Sequence, residues 1–255
     1  MSRVDLDIAG HIATLTLNNP DKLNAFTPQM LSDLERHCAN LEGQVDVVGV
    51  LIKAAPAKAF CAGADIIAWK DIPPLEFARC WVRDGHRIFD RLARLSKPTI
   101  AAIGAHAFGG GLELAAACDL RVVAPRASLA LPEPHIGIVP GWSGTQRLAR
   151  LIPEPVLKEM VLFGRRISAE RAQAIGFVAD VNENPEALAR QILEKLVETS
   201  ARATEVAKYM VHAAVGEDRS AMVEALGSGM IGASQDKIEG VAAFAEKRKP
   251  EFPGT

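Results

Sequence analysis

Residues 107–119 read A-F-G-G-G-L-E-L-A-A-A-C-D, and no other stretch says as much about the fold. Three glycines, Gly109 to Gly111, follow a short apolar segment and open a helix of alanine and leucine. Glycine in a helix costs about 1 kcal/mol relative to alanine, so three together indicate either a tight turn or backbone N–H groups that approach a ligand closely. The helix also carries Glu113 among apolar neighbours, where a carboxylate is rarely buried unless it is paired or functional. Exposure to solvent is the alternative interpretation of Glu113.

Strands and helices alternate on both sides of this stretch. The helix near residue 28 has a clear start, because Thr27 can cap it and Pro28 suits its first position. The predicted strands are residues 4–8, 11–17, 47–52, 99–103, 120–123 and 128–131. The predicted helices are residues 28–41, a short one from residue 64, 75–95, one opened by residues 109–111, 143–151, 155–162 and 169–175. The alternation favours an α/β fold of stacked ββα units, although no repeat recurs at a fixed period.

The composition changes at about residue 185, where alanine-rich, charged segments begin. They predict helices at residues 186–197, 201–211, 220–230 and 235–247. We therefore expect a core of residues 1–184 and a C-terminal helical region of residues 185–255. The apolar faces of these helices are expected to cover the core or a partner subunit.

The 255 residues carry a formal net charge of −2, and 49% of them are hydrophobic, which is typical of a globular protein with one main domain. This charge gives no bulk reason to expect a nucleic-acid partner. The N-terminus contains Asp5 and Asp7 and resembles no targeting signal, and the most apolar segment, residues 100–118, is interrupted by charge and glycine. We expect a cytoplasmic protein without a membrane span. The four cysteines are dispersed and indicate neither a disulfide framework nor a zinc site.

Two further features could take part in chemistry. Residues 59–66, A-F-C-A-G-A-D-I, lead from a loop into a helix start and can bring N–H groups to a ligand, although ordinary turns share this pattern. Glu133, between Pro132 and Pro134, is a second carboxylate among apolar residues, and its exposure to solvent is again the alternative. Together the features fit one reaction class, in which N–H donors polarise a carbonyl and two carboxyl groups move protons at the neighbouring carbons.

Five ordered blocks of sequence resemble the enoyl-CoA hydratase (crotonase) superfamily over nearly the whole chain. They are residues 19–26 (N-P-D-K-L-N-A-F), 59–66, 107–119, 131–148 (L-P-E-P-H-I-G-I-V-P-G-W-S-G-T-Q-R-L) and 236–252 (D-K-I-E-G-V-A-A-F-A-E-K-R-K-P-E-F). The resemblance implies a crotonase-like spiral of stacked ββα units with a C-terminal helical region, acting on an acyl-CoA thioester as a homotrimer or homohexamer. Coenzyme A would be part of the substrate, and neither a cofactor nor a metal is implied.

The resemblance also implies roles for individual residues. The backbone N–H groups of Ala62 and Gly110 would form an oxyanion hole around the thioester carbonyl. Glu113 and Glu133 would flank a water molecule, which the N–H of Gly141 helps to place. The residues implied in CoA binding are Lys22, Leu23, Ala64, Asp65 and Ile66 and, at the nucleotide end, Phe244 and Lys247.

Several interpretations within this resemblance stay open. Because both glutamates are present, we expect a hydratase rather than an enoyl-CoA isomerase or a carbon–carbon lyase, relatives that often replace one of them. A non-enzymatic RNA-binding member is a further alternative, which the negative net charge disfavours. Residues 142–144 read W-S-G where a smaller A-G-G is usual, and this departure bears on acyl specificity. The histidines His106 and His135 lack a partner in the sequence, so we expect structural or surface roles for them.

Overall fold

The computed structural model describes residues 2–217 and 219–255. The chain forms two compact units, the first ending at Ala201 and the second beginning at Arg202. This boundary lies later than the one we expect after residue 184, because the helix Pro185–Glu194 packs on a sheet of the first unit. Ala189 and Leu193 of this helix are fully buried against that sheet.

The first unit is built on two sheets. Its strands are β1 Arg3–Ala9, β2 Ile12–Asn18, β3 Gly49–Ala54, β4 Ala59–Cys61, β5 Thr99–Ile103, β6 His106–Phe108, β7 Leu120–Val123, β8 Ser128–Ala130, β9 Ile167–Ser168 and β10 Asp180–Val181. One sheet has the order β1-β2-β3-β5-β7-β10 and the other the order β4-β6-β8-β9. After the β1–β2 hairpin, the pairs β3/β4, β5/β6 and β7/β8 each give one strand to each sheet, and helical segments follow each pair. The predicted stack of ββα units is therefore confirmed.

The helices start largely where the sequence predicts. They are α1 Pro28–Glu42, α2 Ile66–Trp69, α3 Pro74–Glu76, α4 Arg83–Ala93, α5 Gly110–Ala117, α6 Gly144–Leu151, α7 Glu154–Phe163, α8 Ala169–Ala174, α9 Pro185–Glu194, α10 Ala201–Ala214, α11 Arg219–Gly232 and α12 Gln235–Glu246. The Thr27 hydroxyl caps α1 by accepting the N–H of Met30 at 3.3 Å. The helix predicted over residues 75–95 is observed as one continuous helical stretch, residues 74–93, in which a π-helical segment Phe77–Val82 joins α3 to α4. In the described residues no helix is long and apolar enough to cross a membrane.

The second sheet places the carboxyl ends of the short strands β4, β6 and β8 side by side. Strand β5 is buried at every residue, since one of its faces packs into the main core and the other against α9. The second sheet pairs β4 with β6 and β6 with β8 in parallel. Because the carboxyl ends of parallel strands lie at one edge of a sheet, the segments that follow β4, β6 and β8 meet there.

Candidate active site

A cavity of about 100 Å³ lies where β4, β6 and β8 end. Its wall contains residues from each of the three segments that follow these strands. The predicted site residues that line it are Ala62, Ala64, Ile66, Gly110, Glu113, Glu133 and Gly141. The remaining wall is mainly apolar, so the two glutamates are its ionisable groups among the described residues.

Helix α5 carries Glu113 into this wall, where the residue is only 3% exposed. Its Oε1 accepts the backbone N–H of Trp142 at 2.8 Å and that of Gly144 at 2.9 Å. Burial raises the pKa of this carboxyl to about 7, although the two N–H donors and the charge of Arg147 oppose the rise. Glu113 can therefore change protonation near neutral pH, and two fixed donors hold its anion.

Glu133 opens a short 3-10 turn, Glu133–Ile136, after strand β8. It is 6% exposed, and its buried Oε2 has no hydrogen-bond partner in the part of the chain that the structure describes. Burial raises the pKa of this carboxyl to about 7 as well; its own backbone N–H opposes the rise, and the charge of Glu113 adds to it. Because the two carboxyl groups repel, they titrate as a pair. Glu133 has fewer hydrogen-bond donors than Glu113 to stabilise its anion. When the pair of carboxyl groups holds one proton, that proton is therefore more stable on Glu133.

Two backbone N–H groups, of Gly110 and Ala64, face the cavity without an acceptor. Gly110 is the first residue of α5, and the first N–H groups of a helix have no intrahelical partner. On either side of Ala64, the carbonyl of Gly63 accepts from Phe26 and the N–H of Asp65 donates to Phe26, each at 2.8 Å. Since successive N–H groups of extended backbone point in opposite directions, the N–H of Ala64 points away from Phe26. Neither N–H has an acceptor among residues 2–217 and 219–255.

These two donors lie close together. A Cβ placed on Gly110 would be only 3.6 Å from the backbone nitrogen of Ala64. Two fixed N–H groups side by side can hold a carbonyl oxygen on which negative charge develops. The cavity therefore combines an oxyanion-binding pair with two carboxyl groups that titrate near neutrality.

The N–H of Ala62 does not belong to this pair, contrary to the expectation from the resemblance. It donates to the carbonyl of Leu23 at 3.1 Å, so it is already used to tie the loop before α1 to the segment after β4. Ala62 lines the cavity, but among the described residues it is the N–H of Ala64, not that of Ala62, that has no acceptor.

The other residues that the resemblance implies in CoA binding form two groups. In the first, the ammonium group of Lys22 lies 2.7 Å from the carboxylate of Asp65, and Leu23 beside it is 41% exposed. The second group lies in the second unit, where Phe244 is exposed on α12 and Lys247 ends that helix with a left-handed φ of 54°. A contact of either group with CoA stays a prediction.

Sequence reasoning missed the residues that hold Glu113. The N–H groups of Trp142 and Gly144 perform this task, and Gly144 leaves no space for a side chain because a Cβ there would lie 2.7 Å from Cγ and Oε1 of Glu113. Between them, Ser143 has a φ of 76°, and its hydroxyl is hydrogen-bonded to Nδ1 of His86 at 2.9 Å. The one signal for this loop was the unusual W-S-G at residues 142–144.

The two histidines considered in the sequence lie outside the cavity wall. His106 accepts the N–H of Ser128 at 3.1 Å and stacks on Phe108, and His135 packs against Gly164. Among the described residues, no group of three or more His, Cys, Asp or Glu side chains is arranged to hold a metal ion.

Comparison with known proteins agrees with this geometry. A sequence model described as enoyl-CoA hydratase/isomerase matches residues 7–255. The (E)-benzylidenesuccinyl-CoA hydratase of Thauera aromatica is 37% identical over 98% of this chain and 99% of its own length. The short-chain-enoyl-CoA hydratase of Clostridium acetobutylicum is 33% identical over 98% of this chain and 97% of its own. The crystal structure of an enoyl-CoA hydratase from Bacillus anthracis matches with a TM-score of 0.81 and 33% identity, and covers 99% of both chains.

Proposed function

This chain belongs to the enoyl-CoA hydratase/isomerase family, and we propose that it catalyses the reversible addition of water to a trans-2-enoyl-CoA thioester. The observation that carries the proposal is the pairing of two buried carboxyl groups, each with a pKa of about 7, in one cavity with two free N–H donors. A hydration needs both parts, because charge develops on the thioester oxygen while one proton leaves the water that attacks the β-carbon and another is delivered to the α-carbon.

The N–H groups of Ala64 and Gly110 receive the thioester oxygen. As the oxygen of water bonds to the β-carbon, electrons move through the conjugated system towards this oxygen. Loss of one such donor typically raises the barrier by about 3 kcal/mol. The pair therefore supplies a large part of the stabilisation of the transition state.

The two glutamates divide the proton transfers. Glu113 acts as the base that holds the water and accepts its proton, because the N–H groups of Trp142 and Gly144 stabilise its anion. Glu133 acts as the acid that protonates the α-carbon, because fewer donors hold its anion and burial raises its pKa to about 7, which keeps its proton available near neutral pH. Gly141, which also lines the cavity, helps to place the water through its N–H.

Family membership is consistent with the finer features of the proposal. The enzyme works in fatty-acid or related acyl-CoA metabolism in the cytoplasm, as a homotrimer or homohexamer, without a cofactor other than the CoA of its substrate and without a nucleic-acid partner. One relative is named for (E)-benzylidenesuccinyl-CoA and another for short-chain enoyl-CoA. These names leave the acyl group of the substrate open.

Hydration of crotonyl-CoA by the wild type and by the Glu113→Gln and Glu133→Gln variants tests the proposal. Each substitution keeps the size of the side chain and removes its titrating group, so we expect kcat to fall by about 10² to 10⁴. Binding of the thioester, measured by calorimetry, should persist. Wild-type turnover in either variant contradicts the two-glutamate mechanism, and isomerisation of a 3-enoyl-CoA without hydration identifies the isomerase alternative.

A further inference from the structure

The cavity is rich in aromatic side chains, although the chain as a whole is not. Aromatic residues make up 5% of the sequence, and only three of its residues are tryptophans. All three, Trp69, Trp81 and Trp142, line the cavity together with Phe77. Aliphatic side chains complete this part of the wall, those of Val82, Ile136, Ile138 and Val139. The tryptophans of the chain are therefore concentrated at this site.

The ring of Trp142 lies directly beside the oxyanion hole. A Cβ placed on Gly110 would meet Cζ3 and Cε3 of this ring at 2.8 and 2.9 Å, so the ring edge touches the backbone that carries the Gly110 donor. A thioester oxygen held by this N–H has its acyl carbons a few bonds away. The acyl group must therefore pass the Trp142 ring.

This ring is fixed in place from several sides. Its Nε1–H donates to the carbonyl of Trp81 at 3.2 Å. The rings of Phe26, Trp81 and Phe89 have centroids 5.3 to 5.9 Å from that of Trp142, in tilted or edge-to-face arrangements. Gly85 of α4 makes room for it, because a Cβ there would lie 2.1 Å from the indole nitrogen. Trp142 cannot turn aside to admit a bulkier acyl group without moving α4 or the core.

The adjoining part of the wall comes from the π-helical segment Phe77–Val82. The wider turn of a π-helix brings residues four and five apart to one side, and such segments are frequent at functional sites. Phe77, Trp81 and Val82 have this spacing, and all three line the cavity. Two ring-bearing surfaces therefore border the space beside the hole.

We propose that Trp142 is the specificity-determining residue of this cavity and that it selects planar, conjugated acyl groups, above all an aryl ring joined to the enoyl double bond, over long flexible alkyl chains. The proposal rests on the hydratase function proposed above. A planar ring gains edge and face contacts with fixed aromatic walls, and it has few torsions to freeze. A long alkyl chain loses its conformational freedom on binding, and the fixed Trp142 ring does not move to accommodate it.

The test compares kcat/KM for hydration of cinnamoyl-CoA, crotonyl-CoA and trans-2-decenoyl-CoA by the wild type, Trp142→Ala and Trp142→Phe. Glu113 accepts a hydrogen bond from the backbone N–H of Trp142, so either substitution at this position leaves that donor in place. We expect the wild type to favour cinnamoyl-CoA over decenoyl-CoA by about tenfold or more, Trp142→Ala to lower this ratio at least about tenfold, and Trp142→Phe to lower it about threefold.

Phe177→Leu is the matched control, because Phe177 is a buried ring of the core that does not line the cavity and is not among the rings packed on Trp142. It should lower Tm and leave the ratio within about twofold. A wild type that prefers decenoyl-CoA overturns the inference, as does a folded Trp142→Ala variant with an unchanged ratio. If Trp142→Ala fails to fold, an unchanged ratio in Trp142→Phe overturns it. If the wild type hydrates none of the three thioesters, the proposed function is contradicted. If it hydrates crotonyl-CoA but does not prefer cinnamoyl-CoA over decenoyl-CoA, only the proposed specificity is overturned.

Discussion

At the scale of single residues, the oxyanion hole depends on the direction of one peptide N–H. Within the part of the chain that the structure describes, the N–H of Ala64 has no acceptor, whereas that of Ala62 donates to the carbonyl of Leu23. An Ala64→Pro substitution removes the free donor, so we expect kcat/KM for crotonyl-CoA to fall by about 10². Steady-state kinetics measure this loss, and circular dichroism and a thermal melt check that the variant is folded.

Ala62→Pro is the matched control, because it removes an N–H that has a structural partner. We expect this variant to lose more of its Tm than Ala64→Pro does, since the carbonyl of Leu23 is left without its donor. Full turnover in a folded Ala64→Pro variant would assign the hole to another N–H.

The buried carboxyl of Glu133 makes the stability of the fold depend on pH. Its pKa is about 7 in the folded protein, against a reference value of 4.5. The folded state therefore binds the proton more tightly than the unfolded state does. It follows that the contribution of Glu133 to the free energy of unfolding is greatest below about pH 4.5 and is lost as the pH rises towards 7.

A Glu133→Gln substitution removes this dependence. We expect Tm of the variant minus Tm of the wild type to increase between about pH 4.5 and pH 7 and to stay constant above that window. Thermal unfolding at several values across this range measures the difference. Glu194→Gln makes the same chemical change at an exposed position and should show a constant difference. A constant difference for Glu133→Gln too would mean that its pKa is not raised by folding.

At the scale of secondary-structure elements, the sequence predicts the helices and strands whose signals lie within a few neighbouring residues. The Thr27–Pro28 signal predicts the start of α1, and the apolar run at residues 99–103 coincides with β5. The second sheet was largely missed, because strands of two or three residues, such as β4 and β6, show no periodicity and form through pairing with distant segments.

The same distinction applies to the candidate site. Motifs of glycine and glutamate locate Gly110, Glu113 and Glu133, all of which line one cavity. The choice between Ala62 and Ala64 as donor depends on the pairing of Phe26 with residues 63–65, a contact between distant segments that no local pattern contains. The shape of the cavity beside the oxyanion hole also depends on contacts between distant segments, since Gly85 of α4 makes room for the ring of Trp142.

The contact of helix α5 with strand β4 is the element packing on which the site depends. A Cβ on Gly111 would lie 2.4 Å from the carbonyl oxygen of Cys61, so α5 approaches the strand as closely as glycine allows. We expect Gly111→Ala to lower the free energy of unfolding by about 1 to 3 kcal/mol, measured by denaturant titration. Gly229→Ala in α11 is the matched control, because a Cβ there meets nothing within 4 Å and the position lies off the face that carries Val223 and Met230.

The same methyl group should therefore act in opposite directions at the two positions. At Gly229 we expect a gain of up to about 1 kcal/mol, since alanine favours the helix over the unfolded chain. A Gly111→Ala variant as stable as the wild type would show that α5 can move away from β4. Its hydratase activity would then report whether the hole moves with the helix.

At the scale of the whole molecule, the second unit has more exposed apolar surface than a monomer needs. Its exposed large hydrophobic residues are Met210, Val211, Val215, Val223, Met230, Ile231, Ile238, Val241, Phe244 and Phe252. Single exposed apolar residues are ordinary, but a concentration of them within residues 202–255 is typical of a protein–protein contact. Together with family membership, this surface supports the homotrimer or homohexamer proposed above.

Light scattering at micromolar concentration tests the oligomer directly, and we expect a mass that is three or six times the 27.3 kDa of the chain. Val223 and Met230 lie seven residues apart on α11, hence on one face of the helix. A Val223→Asp, Met230→Asp double variant should shift the mass towards the monomer, because an interface that buries unpaired carboxylates loses several kcal/mol. Val45→Asp, at an 81% exposed position in the first unit, should leave the mass unchanged. A wild-type mass of one chain contradicts the oligomer, and a double variant that keeps the wild-type mass moves the interface away from this face of α11.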